Sequence, residues 1–508
     1  MSAFRKIGVL FVVFTAVSLF AQSGSSFYVA KSGSDSNSGS FTAPWLTIQH
    51  AASTVTAGAT VFVETGVYNE SVTFPTNGTA TNYITFENYP GQAPIIDGTG
   101  LAVTGTQGLV NLVNRSYVTV SGFEIRNYTT SKAALTPAGI WVTGSGAGLN
   151  LLSNIVHDIT TSSEKNGNAF GIAVYGTSST PISNIAISNN QLYNMKTGES
   201  ETMNVDGNVT SFTISNNIVH DNDNIGIDAI GFEGVGPTGM DQANHGLVTG
   251  NIVYNITGIN NPGEGKSYDA DGLYCDGCAY VVFERNTVYN CDLNMEAASE
   301  HKGHNASYVT IRNNVFYDAN TVGISIGGYA AGVGGSDHIV IVNNTLYNNN
   351  TKNGGGEFQI QHNAPPSAGN IFENNIVYAG TQNVWVYSYV SGSTDTANWN
   401  LYYSIKGYVK STSIDWGSKY NYATYAAYQS GSTEDTNSPN ANPMFVNLTS
   451  TPPNLDVKSG SPAINAGSTS LTCSVGYCNG SSIYGSVDYT GNPRINGSGQ
   501  INIGAYEQ

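Results

Sequence analysis

The chain is poor in charge and poorest in positive charge. Lys and Arg together number 18 of 508 residues, against 35 Asp and Glu, for a net charge of −17. A surface with so few bases cannot neutralise a phosphate backbone, which excludes nucleic-acid binding. Long apolar runs are nearly absent. The longest, IGVLFVVFTAVSLF at 7–20, is too short to favour a membrane span. It follows Arg5 and Lys6 and precedes Ala21, the pattern of a cleavable export signal, so a secreted or periplasmic protein is expected. Cysteine is also scarce and odd in number: Cys275, Cys278, Cys291, Cys473 and Cys478. Cys473 and Cys478 could close a surface loop. Cys275, Cys278 and Cys291 lack a fourth ligand at finger spacing, so buried thiols or a local disulfide are favoured over zinc.

What the chain has is repetition. NIVHDI (154–159), NQLYNM (190–195), NIVHDN (217–222), NIVYNI (251–256), NTVYNC (286–291), NVFYDA (314–319), NTLYNN (344–349) and NIVYAG (375–380) are variants of one phrase. Their opening Asn residues are 36, 27, 34, 35, 28, 30 and 31 residues apart. A drifting period of this size signals a solenoid. With 59 Gly and many Thr, Ser, Asn and Tyr, the composition suits short strands joined by turns. The Asn column is expected at one bend of each coil as an amide ladder. His157 and His220 stand where other copies carry Tyr, so they are read as stacking rings rather than catalytic groups.

A second strand follows each phrase: GIWVTG (139–144), GIAVYG (171–176), MNVDG (203–207), GIDAIG (226–231), GLYCDG (272–277), LNMEA (293–297), GISIGG (323–328), EFQIQ (357–361) and VWVYS (384–388). Aligned so that apolar residues point inward, these strands give two outward columns. One runs Trp141, Ala173, Asn204, Asp228, Tyr274, Asn294, Ser325, Gln359, Trp385. The other runs Thr143, Tyr175, Asp206, Ile230, Asp276, Glu296, Gly327, Gln361, Tyr387. Carboxylates gather at the centre and rings and amides at the ends, an arrangement suited to sugars. Neighbouring like charges should raise at least one pKa or share a cation. SYDADGLYCDG (267–277) adds Asp269 and Asp271, and NMEAASEHKGHN (294–305) adds Glu300, His301, Lys302 and His304.

Residues 27–98, with Tyr28-Val29-Ala30, Pro44-Trp45, Thr47-Ile48-Gln49 and Gly66-Val67-Tyr68, resemble the opening of exported bacterial right-handed parallel β-helix proteins. SPAINAG (461–467) and the stretch 487–508 resemble their C-terminal segment. The body is similar to the pectate-lyase-like superfamily. The expected fold is therefore an all-β right-handed parallel β-helix with an N-terminal capping helix at 47–52 and a C-terminal cap. The expected divisions are a signal peptide at 1–21, cap and first coils at 27–109, coiled body at 110–400, and final coils with cap at 401–508. Residues 269–297 are locally similar to family 9 polysaccharide lyases, in which Asp residues hold Ca²⁺ and a Lys abstracts the proton α to a uronate carboxylate. That resemblance places Asp271 at its DADG-type acid and Asp292 and Glu296 near its later acidic positions. It leaves the base unassigned.

Three functions follow as expectations for a monomer acting on a polysaccharide. In Ca²⁺-assisted β-elimination, Asp206, Asp228, Asp269, Asp271 and Asp276 supply metal ligands, and Lys302 or His301 the base. In hydrolysis, Asp276 is nucleophile and Glu296 or Glu300 the acid/base, one rung apart at retaining distance, while Asp206 and Asp276, two rungs apart, are near the inverting range. A non-catalytic glycan-binding or adhesin-like surface is the third. Trp141, Tyr175, Asn204, Tyr274, Asn294, His304, Gln359 and Trp385 are the expected sugar contacts.

Overall fold

The computed structural model describes residues 24–163, 165–261, 263, 265–352, 354–362, 369–389, 395–410, 412–416, 421–471 and 482–507. The expected signal segment and the Cys473/Cys478 loop lie outside them. Among the described residues the chain winds a right-handed parallel β-helix with three long sheets of 14, 12 and 12 strands. Each coil visits the sheets in the same order. The strands Gly146–Leu152, Ile155–Thr161 and Phe170–Gly176 make one such turn, and Ile182–Ser188 begins the next beside the first.

Alternation of apolar and polar residues puts Ile140, Val142, Ile172, Val174, Met203, Val205, Ile227 and Ala229 inside, all buried in one continuous core. At the open N-terminal end, the helix Ile48–Thr54 buries Ile48, Ala51 and Ala52. Thr47 caps it by accepting from the His50 amide, and Glu70 accepts from the Ile48 and Gln49 amides. The first-turn donors are thereby met, and the helix lies over the core end that would otherwise stand open.

The asparagine phrase turns the corner between two sheets. Each ladder Asn donates its backbone N–H to the side-chain oxygen of the Asn one coil on, at 2.9 Å for Asn154 to Asn190, Asn190 to Asn217 and Asn217 to Asn251. Its amide NH₂ donates to the same oxygen and to a backbone carbonyl of the neighbouring strand. The ladder continues through Asn286, Asn314, Asn344 and Asn375 to Asn400. Asn400 opens NLYYSI, one further copy of the phrase with Tyr403 in the ring position. Three residues past each ladder Asn the rings stack: His157 on Tyr193 at 4.7 Å, Tyr193 on His220 at 5.2 Å and His220 on Tyr254 at 4.8 Å. Both histidines stand in this ladder.

The C-terminal region departs from a simple end cap. The last coil strands are Leu401–Tyr403 and Ile414–Trp416, followed by the helix Tyr425–Ser432 and an antiparallel pair, Phe445–Asn447 with Asn454–Val457. The chain then runs back along the phrase corner. Asn313, Asn343 and Asn374, each immediately before a ladder Asn, donate to the carbonyls of Tyr484, Asn502 and Ser468. Buried Arg494 pairs with Glu507 and bonds Asn313. The corner presents amides with no coil neighbour to use them, and the returning segment takes them up.

The ladder yields a direct test. Asn251→Ala leaves the buried Asn217 amide and the Ile214 carbonyl without their partner. At about 1–3 kcal/mol per orphaned group, the variant should lose roughly 2–5 kcal/mol, read as a lower urea midpoint. A loss below about 0.5 kcal/mol would show that the ladder is not structural.

Candidate active site

The second strands line an open cleft of about 910 Å³ on one face of the helix. Its walls carry Glu201, Asp206, Asp228, Glu233, Asp271, Asp276, Glu296 and Glu300, with Asp269 and Glu199 at the margin. Phe170, Tyr175, Tyr268, Tyr274 and Tyr329 supply rings, and Asn168, Asn224, Gln359 and Gln361 supply amides. No Lys or Arg lines it among the described residues.

The backbone pairing corrects the expected columns. Asp228 pairs with Tyr274, and Tyr274 pairs with Glu296, which pairs with Ser325. Asp276 stands beside Ala298, not Glu296. The strand Leu293–Ala298 is thus shifted by two residues from the expected alignment. Both alignments put apolar residues inward, Leu293/Met295 in one and Met295/Ala297 in the other, so alternation could not distinguish them. The structure buries Met295 and Ala297 in the core and turns Leu293 to the cleft. Asp276 and Glu296 are therefore not the one-rung retaining pair. Asp228 and Glu296 share a column two rungs apart, with Cα atoms roughly 9.6 Å from one another. Asp206 pairs with Ile230, and Asp276 follows the Ala229–Cys275 pair, so these two also stand two rungs apart.

A similar shift removes Trp385 from the cleft. Gln359 pairs with Tyr387, so Tyr387 occupies the expected Trp385 place in the column. The Trp385 ring is fully buried and its indole N–H donates to the Tyr403 carbonyl. Asn294 also turns away: it donates to the Tyr317 carbonyl and to Asn349 at 2.8 Å, as a bracket inside the coil. His304 is exposed and stacks on Phe232 at 4.1 Å, and Lys302 is exposed; neither lines the cleft. Trp141 packs on Tyr175 at 4.8 Å and does not itself line the cleft. Asp292, expected near the later acids, is buried beneath the Gly258 amide and Asn320.

The remaining expected residues do converge. Tyr175, Tyr274 and Gln359 line the cleft. Asn204 donates to Glu201 at 2.7 Å and to the Tyr175 hydroxyl at 3.4 Å. Glu296 accepts from Ser325 at 3.0 Å and from Gln361 at 2.7 Å. Asp276 accepts from the Glu300 amide at 2.9 Å and lies 3.8 Å from the His301 ring, which is 3.0 Å from Glu233. Cys275 and Cys278 form a disulfide behind this wall, and Cys291 is a buried free thiol. Glu201 and Glu233 escaped the sequence reading because they stand in the turns that enter and leave the strands, where no periodicity marks direction.

Of the five aspartates expected to hold Ca²⁺, Asp206, Asp228, Asp271 and Asp276 are buried in the walls, whereas Asp269 is exposed and bonded to Ser267. Among the described residues only Asp276 stands within one ion's reach of two other ligand groups, and these are Glu233 and His301 rather than aspartates. The residues present therefore do not fit the expected all-aspartate set.

Burial and mutual repulsion hold protons on these acids. Burial, with repulsion from Glu201 and Glu233, pushes Asp206 up to about 8. Burial pushes Glu296 up to about 7, with the Ser325 and Gln361 bonds opposing the rise. Asp228, Asp271 and Asp276 are driven well above the usual range, first by burial and then by neighbouring carboxylates. A carboxyl raised in the folded state costs nothing below its unfolded pKa near 4 and removes stability as pH rises through its folded value. The melting temperature should therefore fall between about pH 4 and pH 8. Asp206→Asn should melt higher than the parent at pH 8 and no higher at pH 4. An equal difference at both values would contradict the assignment.

Comparison with known proteins bears on this frame. A family model for the "Pel9A-like, right handed beta helix region" matches residues 27–222, which stops short of Asp228, Asp271 and Glu296. The uncharacterized protein YwoF of Bacillus subtilis (strain 168) is 34% identical over 426 residues, covering 83% of this chain and 89% of that protein. Among solved structures, the GH136 lacto-N-biosidase of Eubacterium ramulus is similar at 14% identity, over 75% of this chain and 68% of that one, with a TM-score of 0.51. Pectate lyase Pel9A is similar at 14% identity, over 95% and 96%, with a TM-score of 0.46. At such identities the structural likeness concerns the fold.

Proposed function

We propose that this chain, which belongs to the same family as YwoF and carries a Pel9A-like right-handed β-helix region over residues 27–222, is a carbohydrate-active enzyme that hydrolyses glycosidic bonds in the acidic cleft. The observation that carries this reading is the column Asp228–Tyr274–Glu296: two carboxylates two rungs apart, with an aromatic ring between them. A spacing of roughly 9.6 Å between Cα atoms suits a pair that leaves room for a water, the inverting arrangement. Asp228, accepting one long bond at 3.4 Å from the Asp276 amide, is the group that stays protonated and donates to the leaving oxygen. Glu296, accepting two side-chain bonds, is the group that ionises first and activates the water. The rings of Tyr175, Tyr274 and Tyr268 offer faces for sugars, and Gln359 and Gln361 offer amides for hydroxyls. An uncharged glycan suits these walls better than a polyuronate, whose carboxylates meet no Lys or Arg among the described lining residues.

β-Elimination is the second reading, favoured by the His301 ring standing beside the cleft wall, 3.0 Å from Glu233 and 3.8 Å from Asp276. In it His301, rather than exposed Lys302, is the base. Export to the periplasm or beyond is part of the proposal, supported by the 5–21 pattern and by the Cys275–Cys278 disulfide.

A polysaccharide panel separates the readings, following reducing ends and ultraviolet absorbance together. Hydrolysis predicts new reducing ends without unsaturated product, and elimination predicts both. Binding with neither product, retained in Glu296→Gln, would mark a non-catalytic surface. With a cleaved substrate in hand, Asp228→Asn and Glu296→Gln should each lower kcat by about 10²–10⁴-fold. Activity should fall as pH drops through about 7, where Glu296 takes up its proton. A profile flat from pH 5 to 8 would contradict the role given to Glu296.

A further inference from the structure

We propose that Glu233, Asp276 and His301 form a site for a first-row divalent transition metal, of the Mn²⁺ or Zn²⁺ kind, on one wall of the cleft. One ligand atom from each lies within 4.8 Å of the others. That is near the span a single ion bridges when each donor stands about 2.0–2.2 Å away. The three residues arrive from separate coils. Glu233 follows the strand Ile227–Ile230, Asp276 ends Asp271–Asp276, and His301 follows Leu293–Ala298.

The geometry is held before any ion arrives. The Glu300 amide donates to one oxygen of Asp276 at 2.9 Å, and the other oxygen faces the His301 ring. Phe232, beside Glu233, stacks on His304 at 4.1 Å and 17°. That contact ties the turn carrying Glu233 to the turn carrying His301. Carboxylate ligands oriented by an amide, on turns clamped together, are what a preorganised site requires.

An independent observation in the same cleft asks for a cation or donor. Asp206 is 1% exposed, and its Oδ1 is buried without a hydrogen-bond partner. It lines the same cleft as Glu233 and Asp276. An acceptor desolvated with nothing to accept from is costly, and a bound cation with its waters removes that cost. The imidazole decides the class of ion. Ca²⁺ and Mg²⁺ prefer all-oxygen shells, whereas a mixed set of one imidazole and two carboxylates suits Mn²⁺, Fe²⁺ or Zn²⁺. This site therefore shares only Asp276 with the aspartate Ca²⁺ set expected from the sequence, and differs from it in metal.

The test uses the full chain after dialysis against chelator, titrated calorimetrically with MnCl₂, ZnCl₂ and CaCl₂ without substrate. Stoichiometric binding of Mn²⁺ or Zn²⁺ is expected, tighter than that of Ca²⁺. His301→Ala and Glu233→Gln, both at partly or fully exposed positions, should each weaken it at least about tenfold, with an unchanged circular dichroism spectrum. The Co²⁺-loaded protein should show a visible absorption band that His301→Ala abolishes. Absence of stoichiometric binding, preference for Ca²⁺, or unchanged affinity in both variants would each overturn the site. The hydrolytic reading stands or falls separately, on Asp228 and Glu296.

Discussion

A parallel coil sets each residue about 4.8 Å from its counterpart in the next turn, and the rest of this structure depends on that repeat. The spacing forces like onto like. For Asn it is favourable, because an amide both donates and accepts, and each rung satisfies the one before it from Asn154 to Asn400. For rings it gives the His157-to-Tyr317 stack. For carboxylates it is unfavourable, and the chain nonetheless gathers eight of them along one cleft. Such concentration costs stability wherever the acids are asked to ionise. The cost falls on one face, while the ladder Asn residues are bonded from coil to coil. Strain confined to a cleft and supported elsewhere is the usual arrangement of a functional site.

Much of the fold was legible because its signals are local and repeated. The Asn phrase marks a corner that must be filled by the same side chain in every coil, and its ring position explains His157 and His220 without catalysis. The capping helix was legible from Thr47 and the apolar spacing after it. The copy at Asn400 is not marked in the same way, because NLYY carries Tyr402 at the third position, where the other copies carry Val, Leu or Phe. The returning C-terminal segment was not legible at all, since it is held by amides such as Asn313 and Asn343 whose partners are more than 150 residues away.

The site was half legible, and the reason is register. Alternation identifies which face a residue takes but not which rung it meets, so a slip of two leaves every inward residue apolar. That slip moved Glu296 from beside Asp276 to beside Tyr274, so that the nearest acid in its column is Asp228, two rungs away. The Trp385 error has the same origin. Glu201 and Glu233 lie in turns, where direction is set by packing alone. The proposed chemistry of the cleft thus rests on two-rung spacing and on protons retained by burial, neither of which a linear sequence displays.

The central claim is that burial keeps these acids in different protonation states near neutral pH. Carboxyl-selective ¹³C labelling, with the NMR shifts of Asp and Glu followed from pH 3 to 9 and assigned through Asp228→Asn and Glu296→Gln, tests it most directly. The account predicts that Glu296 titrates near 7 and that Asp228, the proposed acid, releases its proton only after Glu296 has. Titration of both near pH 4 would contradict it.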